Sequence, residues 1–173
     1  MAAEQALKRS GPRGGQGGPR GRGGRRTEEK SEYEEDVLQI DRVTRVVKGG
    51  RRLRFRATVV IGNKNGKVGL GLGKSNEVVG AIKKAIHQAK KNILIVPIKN
   101  GTIPHEISIK YKSAKLMMMP ASPGTGIKAG GAIRKIAELA GIKNILSKMF
   151  GNNNKITNAK ATMLALQQLK IKE

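Results

Sequence analysis

Residues 43–62 read VTRVVKGGRRLRFRATVVIG. Leu53, Phe55, Ala57, Val59 and Ile61 fall at every second position, with Arg52, Arg54, Arg56, Thr58 and Val60 between them. An extended strand sends successive side chains to opposite faces. One face is therefore core, and the other begins as a row of guanidinium groups. The preceding stretch, VLQIDRVTRVVK, is rich in β-branched residues and also reads as a strand. Lys48-Gly49-Gly50-Arg51 then joins the two as a two-residue hairpin, with Gly-Gly taking the positive φ angles of a primed turn.

Working outward, Asn63-Lys64-Asn65-Gly66 makes a second turn. Beyond it Val68, Leu70 and Leu72 alternate with Gly69, Gly71 and Gly73, a third strand with one apolar face and one face bare of side chains. Ser75 is expected to cap a helix, with Glu77 in its first turn. The apolar stripe of that helix is Val78, Ile82, Ala85 and Ala89, with Val79 and Ile86 beside it. Lys83, Lys84, Lys90 and Lys91 lie off the stripe. NILIVPI, residues 92–98, is expected to open a second unit, with strands in HEISIKY and AKLMMMP. A glycine-rich loop, PASPGTGIKAGG, leads into a helix over Ala132 to Ala140 that Gly141 ends. IKNILSKMF reads as a strand, and Asn154 caps a last helix with the stripe Ile156, Ala159, Met163 and Leu166.

The predicted class is α+β: an N-terminal βββα unit and a C-terminal βα unit, two small sheets covered by helices. Lys99-Asn100-Gly101-Thr102 is the best boundary, giving units over 33–101 and 102–173. Residues 1–32, containing GPRGGQGGPRGRGGRR, have too few apolar side chains to offset their ordering entropy. They are expected to form a disordered Arg/Gly-rich tail.

Composition narrows the function. The 173 residues carry 35 Lys and Arg against 12 Asp and Glu, a formal net charge of +23. A folded chain with that excess repels itself, and a polyanion relieves the repulsion. The cations are spread along the chain rather than gathered on one amphipathic helix, which favours nucleic acid over a membrane surface. Cysteine is absent and only His87 and His105 are present, so no metal or cofactor is expected. The carboxylates show no acid–base spacing, and the expectation is a non-enzyme. With no apolar run long enough to cross a bilayer and no apolar leader, a cytosolic protein is expected.

Two stretches imitate nucleotide signatures. GLGLGKS, residues 69–75, ends like a P-loop, but the position that needs the first glycine is Val68. Gly124-Thr125-Gly126-Ile127-Lys128-Ala129 fits G-x-G-x-x-G/A, yet after Glu138 the next acid is Glu173, so the ribose-binding acid is missing. What survives is a set of amides near a helix N-terminus, with Gly124, Thr125, Gly126, Lys128 and Arg134 as candidates for a nucleic-acid phosphate.

The stronger signal is the hairpin. Arg42, Arg45, Lys48, Arg51, Arg52, Arg54 and Arg56 surround it with only Asp41 in compensation. Gly49 and Gly50 keep its tip thin. Lys64, Lys67 and Lys74 border the next turn and strand end, and Lys83 and Lys84 the helix. Readers of single strands stack bases on aromatic rings, and aromatic residues are only 2% of this chain. The expected target is folded RNA, gripped by phosphates and 2′-hydroxyls.

VTRVVKGGRRLRFRATVVIGNKNGKVGLGLGKSNEV with AIKKAIHQAKKN resembles the family of the fifth protein of the bacterial small ribosomal subunit. MMMPASPGTGIKAGGAIRKIAELAGIKNILSKMFGNNN and KATMLAL resemble its second half and last helix. The likeness runs over roughly residues 37–170. It implies a first domain similar to a double-stranded-RNA-binding fold, a second domain of the family's own type, and a structural place bound to 16S ribosomal RNA near the decoding region. It implies that the Lys48–Arg51 tip approaches RNA. It also implies that Ser113, Ala114, Lys115 and Leu116 face ribosomal protein four, and that ribosomal protein eight is a neighbour. Where relatives carry Gly-Ser-Arg, this chain has Ser113-Ala114-Lys115, which keeps the cation but not the bidentate fork. The rival functions are a free RNA chaperone acting through the tail, and a nucleotide-dependent enzyme.

Overall fold

A computed structural model of the chain describes residues 32–170. The expectation of a disordered tail over residues 1–32 lies, Glu32 apart, outside those described. The elements run β1 (Glu34–Val47), β2 (Gly50–Gly62), β3 (Lys67–Ser75), α1 (Val78–Lys91), β4 (Ile93–Ile95), β5 (Ile107–Tyr111), β6 (Ala114–Pro120), β7 (Ile127–Lys128), α2 (Gly131–Ala140), β8 (Ile145–Gly151) and α3 (Lys155–Gln168). They build two four-stranded sheets, ordered β1-β2-β3-β4 and β5-β6-β8-β7. Every pairing is antiparallel except β7 with β8. The predicted α+β class and two-sheet plan hold.

The alternation in β2 serves two cores at once. Ala57, Val59 and Ile61 are fully buried against Ala81, Ala85 and Ala89 of α1. Val60, on the opposite face, joins Val68 and residues of α2, α3 and the second sheet in a larger cluster. The second half of β2 is thus buried on both faces, while its first half, Gly50 to Arg54, is exposed on both. Leu53, expected in the core, is 50% exposed. It lies too far along the strand for α1 to reach.

The bare face of β3 has a packing reason. A β-carbon added to Gly69 would stand 2.6 Å from Ala89 O, one on Gly71 2.6 Å from Ala89 N, and one on Gly73 2.5 Å from Ala85 N. Real β-carbons do not approach backbone that closely. The glycines let the alanine face of α1 settle directly on the strand, and dispersion contacts replace the missing side chains.

Three local expectations change. Val47 pairs with Gly50, so the two turn residues are Lys48 and Gly49, one position earlier than Gly49-Gly50. Gly49 has φ +86 while Lys48 keeps a negative φ, the sign pattern of a type II turn rather than a primed one. Ser75 stays in β3 paired with Phe55, and the helix cap falls to Glu77, whose side chain makes no capping bond. NILI does not open the second unit: Ile93–Ile95 pairs with Lys67–Gly69 as the last strand of the first sheet. Asn154, by contrast, caps α3 as expected, its Oδ1 accepting from Ile156 N at 3.0 Å. Gly141 ends α2 in the left-handed region at φ +90.

Candidate nucleic-acid interface

Past Asp41, β1 and β2 leave the body of the fold as an arm, two-stranded beyond the Arg42–Phe55 pair, where Ser75 of β3 still lies beside Phe55. Six residues of β1, Arg42 to Val47, belong to it, about 20 Å at ~3.3 Å per residue. Among the described residues neither glycine at the tip has a neighbour within 4 Å of a built β-carbon.

Register sorts the cations by face. Arg45 lies opposite Arg52, Val43 opposite Arg54, Asp41 opposite Arg56, and Arg56 opposite Lys74 of β3. These residues share the face turned away from α1. Val43, Arg45, Val47, Arg52, Arg54 and Lys74 line an open groove of ≈ 500 Å³ there, with Thr44 on its edge. Directly opposed like charges are unfavourable in a sheet, and Arg45 and Arg52 face each other with no carboxylate of the described residues paired to either. An anion laid along the groove removes that repulsion.

Arg56 does not belong to this free set. Its Nε and Nη2 donate to Asp41 Oδ2 at 3.1 and 2.8 Å, and Gln39 Nε2 donates to the other carboxylate oxygen. The Arg56 bonds hold the Asp41 carboxyl below its ordinary value. Burial works against them, and Gln39 and the charge of Lys155 assist. The pair closes the root of the arm, so the Arg56 guanidinium is already engaged within the fold.

The other sequence-predicted residues are not gathered in one place. Lys64 and Lys67 sit at the far end of β2 and β3, roughly 40 Å along the strand from the tip. Lys64 Nζ bonds Glu34 there at 2.6 Å. Lys83 and Lys84 are exposed on α1, across the sheet from the groove. Arg134 is exposed but paired with Glu138 at 3.0 Å. In the glycine-rich loop, the Thr125 amide donates to Ser122 O at 3.2 Å and the Gly126 amide to Asn144 Oδ1 at 3.0 Å. Those two amides are therefore occupied within the fold, while Gly124 and Lys128 remain exposed.

Ala114 and Leu116 are buried, so of the quartet expected to face a protein neighbour only Ser113 and Lys115 present side chains outward. Lys115 shares its face of the second sheet with Lys110 and Phe150, by the pairings Lys110↔Lys115 and Lys115↔Phe150. Lys148, two positions from Phe150, is on that face too. Sequence reasoning passed over Lys110, Lys148 and Phe150, although their spacing along β5 and β8 carried the signal. His105 is structural: its Nε2 accepts from Lys170 N at 3.2 Å. Among the described residues no group of three His, Asp or Glu is placed to hold a metal ion.

Comparison with known proteins agrees with this architecture. Residues 33–97 match the family described as ribosomal protein S5, N-terminal domain, and residues 109–173 match ribosomal protein S5, C-terminal domain. The small ribosomal subunit protein uS5 of Thermotoga petrophila is 54% identical over 138 residues, covering 80% of this chain and 78% of that protein. Protein uS5c of Rhodomonas salina is 51% identical over 144 residues, covering 83% and 86%. Protein uS5 of Trichormus variabilis is 49% identical over 147 residues, 84% of each.

Proposed function

Since the chain belongs to the ribosomal protein S5 family, we propose that its arm is the part that clasps 16S ribosomal RNA. The protein is a structural, non-enzymatic component of the small ribosomal subunit, an RNA-binding constituent of the cytoplasmic ribosome. The observation that carries the assignment to the arm is its charge. Arg42, Arg45, Lys48, Arg51, Arg52 and Arg54 stand on two exposed strands, and among the described residues the carboxylate nearest them in the ladder, Asp41, is already taken by Arg56.

The mechanism is charge neutralisation joined to fit. Phosphates displace counterions and relieve the Arg45–Arg52 repulsion, while the thin Gly49 tip lets the backbone enter a groove. If six arm cations meet phosphates, doubling the salt lowers affinity roughly twentyfold to fortyfold. Lys115 and Ser113, with Lys110 and Phe150 beside them, make the face offered to ribosomal protein four, and ribosomal protein eight is a further neighbour. The chain works as two units, over 33–101 and 102–173, behind the Arg/Gly-rich tail of 1–32.

The test is filter binding of the chain to 16S rRNA across salt, with co-sedimentation on small subunits after a high-salt wash. Steep salt dependence and retention on the particle support the assignment. Near salt-independence sinks it. Loss of most affinity on deleting residues 1–32 would transfer the function to the tail.

A further inference from the structure

The two faces of the arm differ: the proposed function draws cations from both, but gives no role to the apolar side chains of one of them. On the face opposite the groove, Val46 lies across from Arg51, Thr44 from Leu53 and Arg42 from Phe55. Val46 is 74% exposed and Leu53 50%, two of the seven large apolar side chains left exposed among the described residues. Neither is needed by the fold, since both lie beyond the reach of α1 and of either core. Water contact at two branched aliphatic groups is a standing cost, which a partner removes by covering them.

Resting on the RNA-binding role of the arm, we propose that this second face also packs on RNA, with Val46 and Leu53 lying against the ribose and base edges of a shallow minor groove. Charge decides the kind of partner. On this face Arg51 stands directly across from Val46 and Arg42 one pair beyond Leu53 toward the root, Lys48 is at the tip, and among the described residues no carboxylate shares this face of the arm. A protein surface that is both apolar and acidic enough would have to answer cations on both sides of the arm, whereas RNA offers apolar sugar edges between two rows of phosphates.

Groove geometry decides the rest. The major groove of an A-form helix is too deep and narrow for side chains. The minor groove is wide and shallow and displays ribose and 2′-hydroxyl groups. A ribbon two strands wide, ~5 Å between strands, lies flat in such a groove. Arg42 and Arg51 then reach the flanking phosphates, and the Thr44 hydroxyl lies at the level of the 2′-hydroxyls. The arm is thus a two-sided element: Arg45, Arg52 and Arg54 read phosphate charge on one side, and Val46 and Leu53 read sugar on the other.

The experiment separates the two contributions by salt. The full chain, V46S/L53S and R45A/R52A are titrated against protein-free 16S rRNA at several salt concentrations. The proposal expects V46S/L53S to bind about ten- to a hundredfold more weakly at every salt concentration, with the slope of log K against log salt unchanged. R45A/R52A instead flattens that slope. The conservative V46I/L53M keeps wild-type affinity. Identical melting of V46S/L53S and wild type shows that the loss is not unfolding.

Wild-type affinity of V46S/L53S for the protein-free RNA overturns the proposal. If that variant also fails to enter particles, the face belongs to a protein neighbour instead. Failure of the wild-type chain to bind the rRNA at all would overturn the RNA role of the arm itself, a different result from either.

Discussion

Replacing Gly71 by alanine tests how the first sheet is held together. The added β-carbon would lie 2.6 Å from Ala89 N and closer still to Ala85 O, both backbone atoms of α1. No rotamer change relieves a clash with backbone, so the helix must lift by about 1 Å, and along its length it loses the contacts of Ala81, Ala85 and Ala89 with Ala57, Val59 and Ile61. A gap of that size forfeits a quarter to a half of each dispersion well, and the expected cost is about 3 kcal/mol. For a chain of this length that lowers the melting temperature by roughly 6–12 °C. Gly49→Ala is the contrast. Nothing lies near its β-carbon, only φ +86 opposes a side chain, and the cost is about 1 kcal/mol. Differential scanning calorimetry or urea melts on the full chain read both. Adding Ala85→Gly to Gly71→Ala restores nothing, because the obstructing atom is a carbonyl. A Gly71→Ala protein melting within about 2 °C of wild type would refute the seating of α1 on the glycines.

Asp41→Asn should destabilise by about 1 kcal/mol at neutral pH, a figure reduced for the partial exposure of its ion pair. Because Arg56 lowers the folded-state pKa of Asp41, its contribution is full above the ordinary carboxylate range and disappears as pH falls through the lowered value. Melting temperatures of variant and wild type should therefore differ at pH 7 and converge in strong acid. Arg45→Ala/Arg52→Ala should lower the salt slope of rRNA binding by about 1.5 to 2. Arg56→Ala should leave the slope nearly intact and lower the melting temperature instead, and filter binding beside thermal melts separates these outcomes. Asn144→Ala orphans the Gly126 amide, which now donates to it at 3.0 Å. A loss of about 1–2 kcal/mol in urea melts is expected, with faster hydrogen exchange at Gly126.

Much of this was legible in the sequence, and the failures have physical causes. Alternation in 52–62 identified the strand and its cationic row, because a strand's period of two is a strong local signal. It did not reveal that Leu53 stands in water while Thr58 and Val60 are buried. Where a strand leaves the fold depends on the length of the helix laid across it. The glycines of 69–73 read as an empty face, yet an empty face and one filled by a helix backbone have the same sequence. Ser75 had the chemistry of a cap, but its pairing with Phe55 held it in the sheet, since ladder bonds outweigh one capping bond. For the site, charge density pointed to the hairpin without a neighbour's help. Which cations were already engaged, Arg56 by Asp41, Lys64 by Glu34 and Arg134 by Glu138, depended on partners 15, 30 and 4 residues away. Only the last spacing is visible on a helix.

The double burial of β2 has a mechanical corollary. A beam fixed at one end bends most at its anchorage, and here the anchorage is the Asp41–Arg56 bracket, where clamped strand gives way to free strand. Stiffness at the far end is therefore governed some 20 Å away, by residues that need never meet a nucleotide. Weakening the bracket would leave every ligand in place and still blur where they point.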